Sequence, residues 1–295
     1  MHSSKVFQTF TNSARQTALK MVTQAQSGHP GGSFSAIDFL SVLYLEKIAF
    51  NNSPLVVSNG HISPGIYAIL AELGAFSKDD VIQKFRQKES IFEGHVAIEV
   101  PGVWFSTGPL GTGVSAASGL ALSYKMQNDP RQVYATLGDG ESQEGQVYEM
   151  ANFASKYKLD NFTVLLDYNQ VQLTDSLKNI MPIDIKAHFK AANWQVIECQ
   201  GHDPKDILQA LNTAEQSNKP TLIICHTIMG KGVEFMESEG IKHKATWHGK
   251  APSADLALQA LAEIQNTVEE QKELKKFIKN LKFKAHKVIP PKSLS

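Results

Sequence analysis

The chain has 295 residues, 29 of them Lys or Arg and 29 Asp or Glu, so its formal net charge is zero. No global field is available to gather nucleic acid or an anionic membrane, and a hydrophobic content of 42% excludes wholesale disorder. The two cysteines, Cys199 and Cys225, lack metal-like spacing, the N-terminus has no signal-peptide core and no apolar run reaches membrane-spanning length; together these predict a reduced, cytoplasmic protein.

Ala14, Ala18, Met21, Val22 and Ala25 recur at helical spacing and predict a helix over 13–26, broken by the Gly- and Pro-rich residues 27–32. A second helix is expected over 35–48, a short buried strand over 55–58, and helices over 64–74 and 79–88. Residues 106–114 form a Gly-rich loop that opens a small-residue helix ending near Lys125. Apolar strands follow over 133–137, 162–166, 194–199 and 221–226, with helices predicted over 143–157, 204–216 and 254–266. More helix is expected beyond 266. Strands alternating with helices, each strand a continuous apolar run, predict an α/β fold with a parallel sheet covered by helices on both faces. Ligands of such sheets sit outside the carboxyl ends of the strands, where residues 59–61, 138–140, 167–171 and 226–232 lie.

The sharpest chemical signal is Gly138-Asp139-Gly140 followed by Asp167-Tyr168-Asn169. Thirty residues separate Asp139 from Asn169, about the length of one βαβ unit, so both side chains can leave adjacent strand ends and meet. One carboxylate, one amide oxygen and a backbone carbonyl suit Mg²⁺ or Ca²⁺, and so sparse a ligand set implies a metal that arrives with a diphosphate. Glycines at 138 and 140 let backbone approach the phosphates. Four histidines, His29, His61, His95 and His248, stand directly beside glycine or proline in turn-like words, where imidazole can donate, accept or move a proton near neutral pH. His2, His188, His202, His226 and His243 are read as structural or surface residues, with His226 ending a core strand close to the site. Lys231 and Lys244 fall near the expected rim, in a Gly-containing stretch over 229–247 that is expected to be flexible and to order with cofactor and partner.

At these residues the chain resembles the thiamine-diphosphate enzymes, and the surrounding words narrow the resemblance to transketolase. They are Ser27 to Gly32, Ser58-Asn59-Gly60-His61, Glu93-Gly94-His95, Thr107 to Gly113, Gly138 to Gly145, and Thr246-Trp247-His248-Gly249-Lys250. They occur in family order, and the resemblance spans residues 10 to 270. It implies a thiamine-diphosphate-binding fold, with Asp139, Asn169 and the Val171 carbonyl as metal ligands. Gly60, His61, Gly108, Gly140 and His248 would surround the diphosphate, and Leu110 would pack near the cofactor's rings. The four histidines would line the substrate channel, and Glu144 would meet a cofactor-activating glutamate from another domain. Two departures stand out: Tyr168 precedes the ligand Asn169 where many relatives have asparagine, and the Ile62-Ser63-Pro64-Gly65 segment after His61 is less typical.

The resemblance further implies that the chain is half an enzyme. A full-length transketolase continues after the Trp247-His248 word into a pyrimidine-binding domain, which supplies the carboxylate for the cofactor's pyrimidine. The expected organisation is a diphosphate-binding domain over 1–270 and a basic tail over 271–295, ending as a mobile strap. The start at Met1 without an evident tag favours a natural subunit over a truncated chain. The expected assembly is an α₂β₂ heterotetramer with a C-terminal subunit, transferring a two-carbon ketol unit between sugar phosphates of the pentose phosphate pathway. Three alternatives stay open: a transketolase-like enzyme for a rare sugar, a subunit of another thiamine-diphosphate enzyme, and a non-catalytic regulatory subunit.

Overall fold

An apolar run such as Phe162 to Leu166 is stable as a strand only when both of its faces are packed. The computed structural model, which describes residues 4–287, shows this arrangement. Five strands, β1 (Leu55–Val57), β2 (Val133–Gly138), β3 (Phe162–Tyr168), β4 (Gln195–Gln200) and β5 (Thr221–His226), form one all-parallel sheet in the order β1-β2-β3-β5-β4. In chain order the main helices are α1 (Ser4–Ala25), α2 (Pro30–Leu43), α3 (Ser63–Glu72), α4 (Thr112–Met126), α5 (Gly145–Lys156), α6 (Ile185–Ala191), α7 (Pro204–Glu215), α8 (Glu234–Ile241), α9 (Ala254–Glu263) and α10 (Val268–Leu281).

Alternation along the strands divides the interior into two cores. Leu55, Val57, Tyr134, Leu165, Ile223 and Cys225 join the core shared with α1, α2, α3 and α7. Their neighbours Val56, Ala135, Val164, Leu166 and Ile224 face the opposite core, which α4, α5 and α6 cover. This alternation also aims strand-end polar residues. Asp167 falls on the α2 side, where Ser35 reaches it.

Several boundaries differ from the sequence reading for identifiable reasons. Helix α1 begins nine residues earlier than the periodicity suggested, because Phe7 and Phe10 continue its buried face. The break before α2 is confined to residues 26–29, with Gly28 at φ 138°. Pro30 then starts α2, since its fixed φ suits a first helical turn. All fourteen residues of α2 are buried, so it is a central helix with no solvent face to read.

Residues 229–247, the stretch expected to be flexible, pack onto the main core. They contain α8, and Met229, Val233 and Met236 are fully buried. Glycine here serves close packing: a Cβ on Gly240 would lie 2.1 Å from the Met229 carbonyl oxygen. Past the resembling region, α10 starts with a capping box of Thr267 and Glu270 and buries Leu274 and Leu281 in the main core. The segment after it is pinned down as far as it is described: Gly102 N–H donates to the His286 carbonyl at 2.7 Å, and the His286 ring stacks on Trp104. The remainder of the expected strap lies outside the described residues.

A buried ion network ties α1, α2 and the loop after β5 together. Arg15 donates to Asp38 at 2.7 Å and to the Lys231 carbonyl at 2.8 Å. His202 Nε2 accepts from the Ile228 N–H at 2.8 Å, so the proton sits on Nδ1, which donates to Asp38 at 2.7 Å. Burial pushes the Asp38 carboxyl up, yet the Arg15 charge and the His202 bond together hold it below its ordinary value. Removing one partner strands the others' charge in a dry site. Asp38→Ala is therefore expected to cost about 3–5 kcal/mol, read as a lower urea midpoint with an unchanged m-value. A loss under ~1 kcal/mol would show that water replaces the network.

Candidate active site

The carboxyl ends of β1, β2 and β3 open into a cleft of about 480 Å³. Its walls come from distant parts of the chain: the turn before α2 (His29), the β1 end (Asn59, His61), the 95–110 loops (His95, Gly108, Leu110), the β2 and β3 ends (Asp139, Gly140, Asn169, Val171), and the segment after α8 (His248). Every site residue expected from sequence except Gly60 lines it, and Gly60 stands directly between Asn59 and His61.

Four histidines converge at its centre. His29 lies 5.3 Å from His61, 6.2 Å from His95 and 5.7 Å from His248 between ring centroids, and His61 stacks on His248 at 5.3 Å. Burial, then the neighbouring His248, Arg86 and His95, lowers the His29 pKa to about 4. Burial, then the other histidines, holds His61 well below its ordinary value, and burial leads in lowering His95 and His248. The cluster is neutral at pH 7, so each ring offers one donor and one acceptor. The buried Nδ1 of His29 has no hydrogen-bond partner among the described residues.

This neutral cluster sets a pH dependence. Unfolded histidines take up protons below pH ~6.5 that the folded cluster refuses, so its stability contribution is intact above ~6.5 and is lost as the pH falls toward about 4. Melting temperature should drop across that window, and His29→Asn should flatten the slope; allowing for partial exposure, His29 accounts for on the order of 2 kcal/mol. A slope unchanged in the variant would show that His29 is not held neutral.

The second half of the cleft is a carboxylate–amide corner. Gly138 and Asp167 are register partners, so Asp139 and Asn169 follow from adjacent strand ends. Asp139 accepts from the Gly140 and Gln170 N–H groups. Burial, then the Asp167 carboxylate, pushes its pKa up to about 8. Asp167 is saturated instead by Ser35, Thr227 and the Asn169 amide, which turns the Asn169 oxygen toward the Val171 N–H at 3.0 Å. Among the described residues no group of three or more His, Cys, Asp or Glu side chains is arranged to hold a metal unaided. The donor set nonetheless fits a hard cation that brings phosphate oxygens, since a buried carboxylate without a cationic partner and an amide oxygen share one corner. The buried Gln172 Nε2, also without a partner among the described residues, offers a donor to such an anion. Close approach is built in: a Cβ on Gly60 would lie 2.3 Å from Thr107 Oγ1, and one on Gly140 3.0 Å from Gln172 Cγ.

The rim is open. Leu110 is 41% exposed and Leu173 68% exposed, and Glu144 is exposed at the start of α5. Lys231 and Lys244 do not line the cleft. Lys231 pairs with Glu237 at 2.6 Å and Lys244 with Glu239 at 3.6 Å, both acids lying on α8. His226 bonds Glu198 at 2.8 Å and also stays outside the cleft. Sequence reasoning gave no role to Asp167, Glu141 or Gln172, although the first two lie within the words that carried the resemblance. The available signal was a carboxylate at or just past the end of an apolar strand, which must find donors or a cation.

Residues 6–259 match the family model described as the transketolase thiamine diphosphate binding domain, and the chain belongs to that family. It is 34% identical over 265 residues to one subunit of the apulose-4-phosphate transketolase of Phocaeicola vulgatus, covering 86% of this chain and 92% of that protein. It is 32% identical to human transketolase, covering 89% of this chain and 42% of the human protein. Among solved structures, transketolase from Campylobacter jejuni superposes with a TM-score of 0.83 at 30% identity, over 94% of this chain and 47% of that one. The chain thus spans about half the length of the human and Campylobacter jejuni transketolases and nearly all of the apulose-4-phosphate relative.

Proposed function

We propose that this chain is the diphosphate-binding half of a split transketolase, active with a second subunit that carries the pyrimidine-binding domain. The observation that supports it most is the single cleft in which four neutral histidines face the Asp139–Asn169 corner. In this reading Asp139, Asn169 and the Val171 carbonyl hold Mg²⁺ or Ca²⁺, while Gly60, Gly108 and Gly140 bring backbone against the diphosphate. Thiamine diphosphate, when bound, supplies the nucleophilic carbon that takes a two-carbon unit from a ketose phosphate and passes it to an aldose phosphate.

The chain's own part is positional and acid–base. His29, His61, His95 and His248 contact sugar hydroxyls and the substrate carbonyl oxygen, and as neutral rings they accept and return a proton without a lasting charge. In the same reading Leu110 offers an apolar edge to the cofactor's rings, and Glu144 at the exposed rim meets a carboxylate of the partner. An α₂β₂ assembly and a cytoplasmic setting agree with this reading; among the described residues no helix is long and apolar enough to cross a membrane. The near-complete coverage of a rare-sugar transketolase subunit supports a second reading of the substrate, a branched or uncommon ketose phosphate outside the pentose phosphate pathway. Ketol transfer by the reconstituted pair, run in parallel with xylulose 5-phosphate and apulose 4-phosphate as donors, separates the two. No transfer from either donor, with cofactor and Mg²⁺ saturating, would overturn the transketolase assignment.

A further inference from the structure

Glu141 has no part in the chemistry described so far, yet it is among the most constrained side chains in the molecule. It is 3% exposed, in the short helical turn after Gly140. Its Oε1 accepts from Ser58 Oγ at 2.6 Å and from the Gly111 N–H at 2.8 Å, and its Oε2 accepts from the Gly138 N–H at 2.9 Å. Ser58 in turn accepts from the Val114 N–H at 3.1 Å. These donors belong to three separate segments: the end of β1, the Gly-rich loop that opens α4, and the end of β2. Each of the three carries cleft residues, Asn59 and His61 on the first, Gly108 and Leu110 on the second, Asp139 and Gly140 on the third.

Thr107 Oγ1 donates to the Val57 carbonyl at 2.7 Å and ties the Gly-rich loop to β1, and Glu141 brings the β2 end into the same tie. Gly111 has φ 79°, a conformation with little local preference, and it caps α4 without a side-chain bond of its own. A Cβ on Gly113 would lie 2.5 Å from Ser58 Cα, so the loop must rest directly on the β1 end. Burial pushes the Glu141 carboxyl up, while its bonds from Ser58, Gly138 and Gly111 act in the opposite direction, and a carboxyl group's two oxygens can take all three donors in so small a space.

We infer that Glu141 is a positioning residue that clamps the three cleft loops into register, so that the backbone around Gly60, Gly108 and Gly140 is preorganised for a diphosphate. The inference rests on the diphosphate reading of the cleft, but the clamp itself is separately observable. In Glu141→Gln the amide NH₂ must face one of the N–H donors, and the clamp loses a point of contact without a change of shape.

The reconstituted complex serves as the test. Glu141→Gln should raise the dissociation constant for Mg²⁺–thiamine diphosphate, read by calorimetry, by ~10-fold or more, while kcat at saturating cofactor stays within ~3-fold of wild type. Amide exchange in the 107–114 segment should speed up without cofactor. Should that variant fail to assemble, Ser58→Ala removes one donor and should shift affinity and exchange in the same direction by less. A lower melting temperature with unchanged cofactor affinity would leave Glu141 a plain structural residue and overturn the inference. Unchanged exchange at 107–114 would overturn the clamp even if wild type bound no cofactor, an outcome that would by itself count against the diphosphate reading instead.

Discussion

Asp139→Ala is expected to lower ketol transfer by the reconstituted complex ~10³-fold or more at cofactor concentrations that saturate wild type, with assembly intact. The reason is the poverty of the ligand set. Among the described residues only one charged side chain in the corner is free to meet a cation, since Asp167 is spent on Ser35, Thr227 and Asn169. Without Asp139 a cation at this corner would be left with an amide and a carbonyl, too little to hold it against water.

A stability measurement distinguishes this from simple misfolding. The Asp139 carboxyl has its pKa raised to about 8 when no cation is present, so the folded chain keeps a proton that the unfolded chain releases. Its cost is absent below pH ~4, grows as pH rises, and is complete above about 8. The metal-free chain should therefore lose melting temperature from this group between those values, Asp139→Asn should lose less, and Mg²⁺ with diphosphate should restore wild type most at the upper end. Activity that survives Asp139→Ala, or a metal effect identical in Asp139→Asn, would remove Asp139 from the metal site.

The purified chain alone is expected to show no ketol transfer, and mixing it with its partner should raise the rate at least ~10³-fold over that background. The cleft is open along its rim. Leu173 and Leu110 stand exposed on its rim, and Ile180 and Met181 are 45% and 55% exposed on a segment that Gln143 ties to the same edge. Such apolar residues gain from burial against a second surface, and a cofactor held on one side stays open to water that quenches reactive carbon. Sedimentation should show a larger particle when the two chains are mixed. Transfer by the single chain at more than ~1% of the complex's rate would show that the cleft is catalytically complete as it stands.

Much of this site was legible in the chain. Asp139 and Asn169 could be paired from sequence because a βαβ unit of ordinary length carries the chain from one strand end to the next. The four histidines stood out because glycine or proline beside them marks loops, where side chains are free to serve a ligand. The burial of both sheet faces followed from unbroken apolar strands. Other features were invisible for physical reasons. Gly230 and Gly240 let α8 press on the Met229 segment, a contact no local pattern encodes. Lys231 and Lys244 fall near the expected rim in the sequence, whereas α8 presents Glu237 and Glu239 to them. Sequence reasoning gave Glu141 no role, because its three donors come from positions 58, 111 and 138.

The sequence by itself determined which chemistry the chain could carry: one carboxylate and one amide at strand ends thirty residues apart, four loop histidines, and glycine where backbone must come close. Those features are local or joined by a single structural unit, so the order of residues preserves them. Only the tertiary structure decided the strand order β1-β2-β3-β5-β4, the convergence of His29, His61, His95 and His248 into one neutral cluster, and the division of labour among Asp139, Asp167 and Glu141. The physical reason is that donors, burial and neighbouring charge set a side chain's role, and here each arrives from segments far apart in the chain.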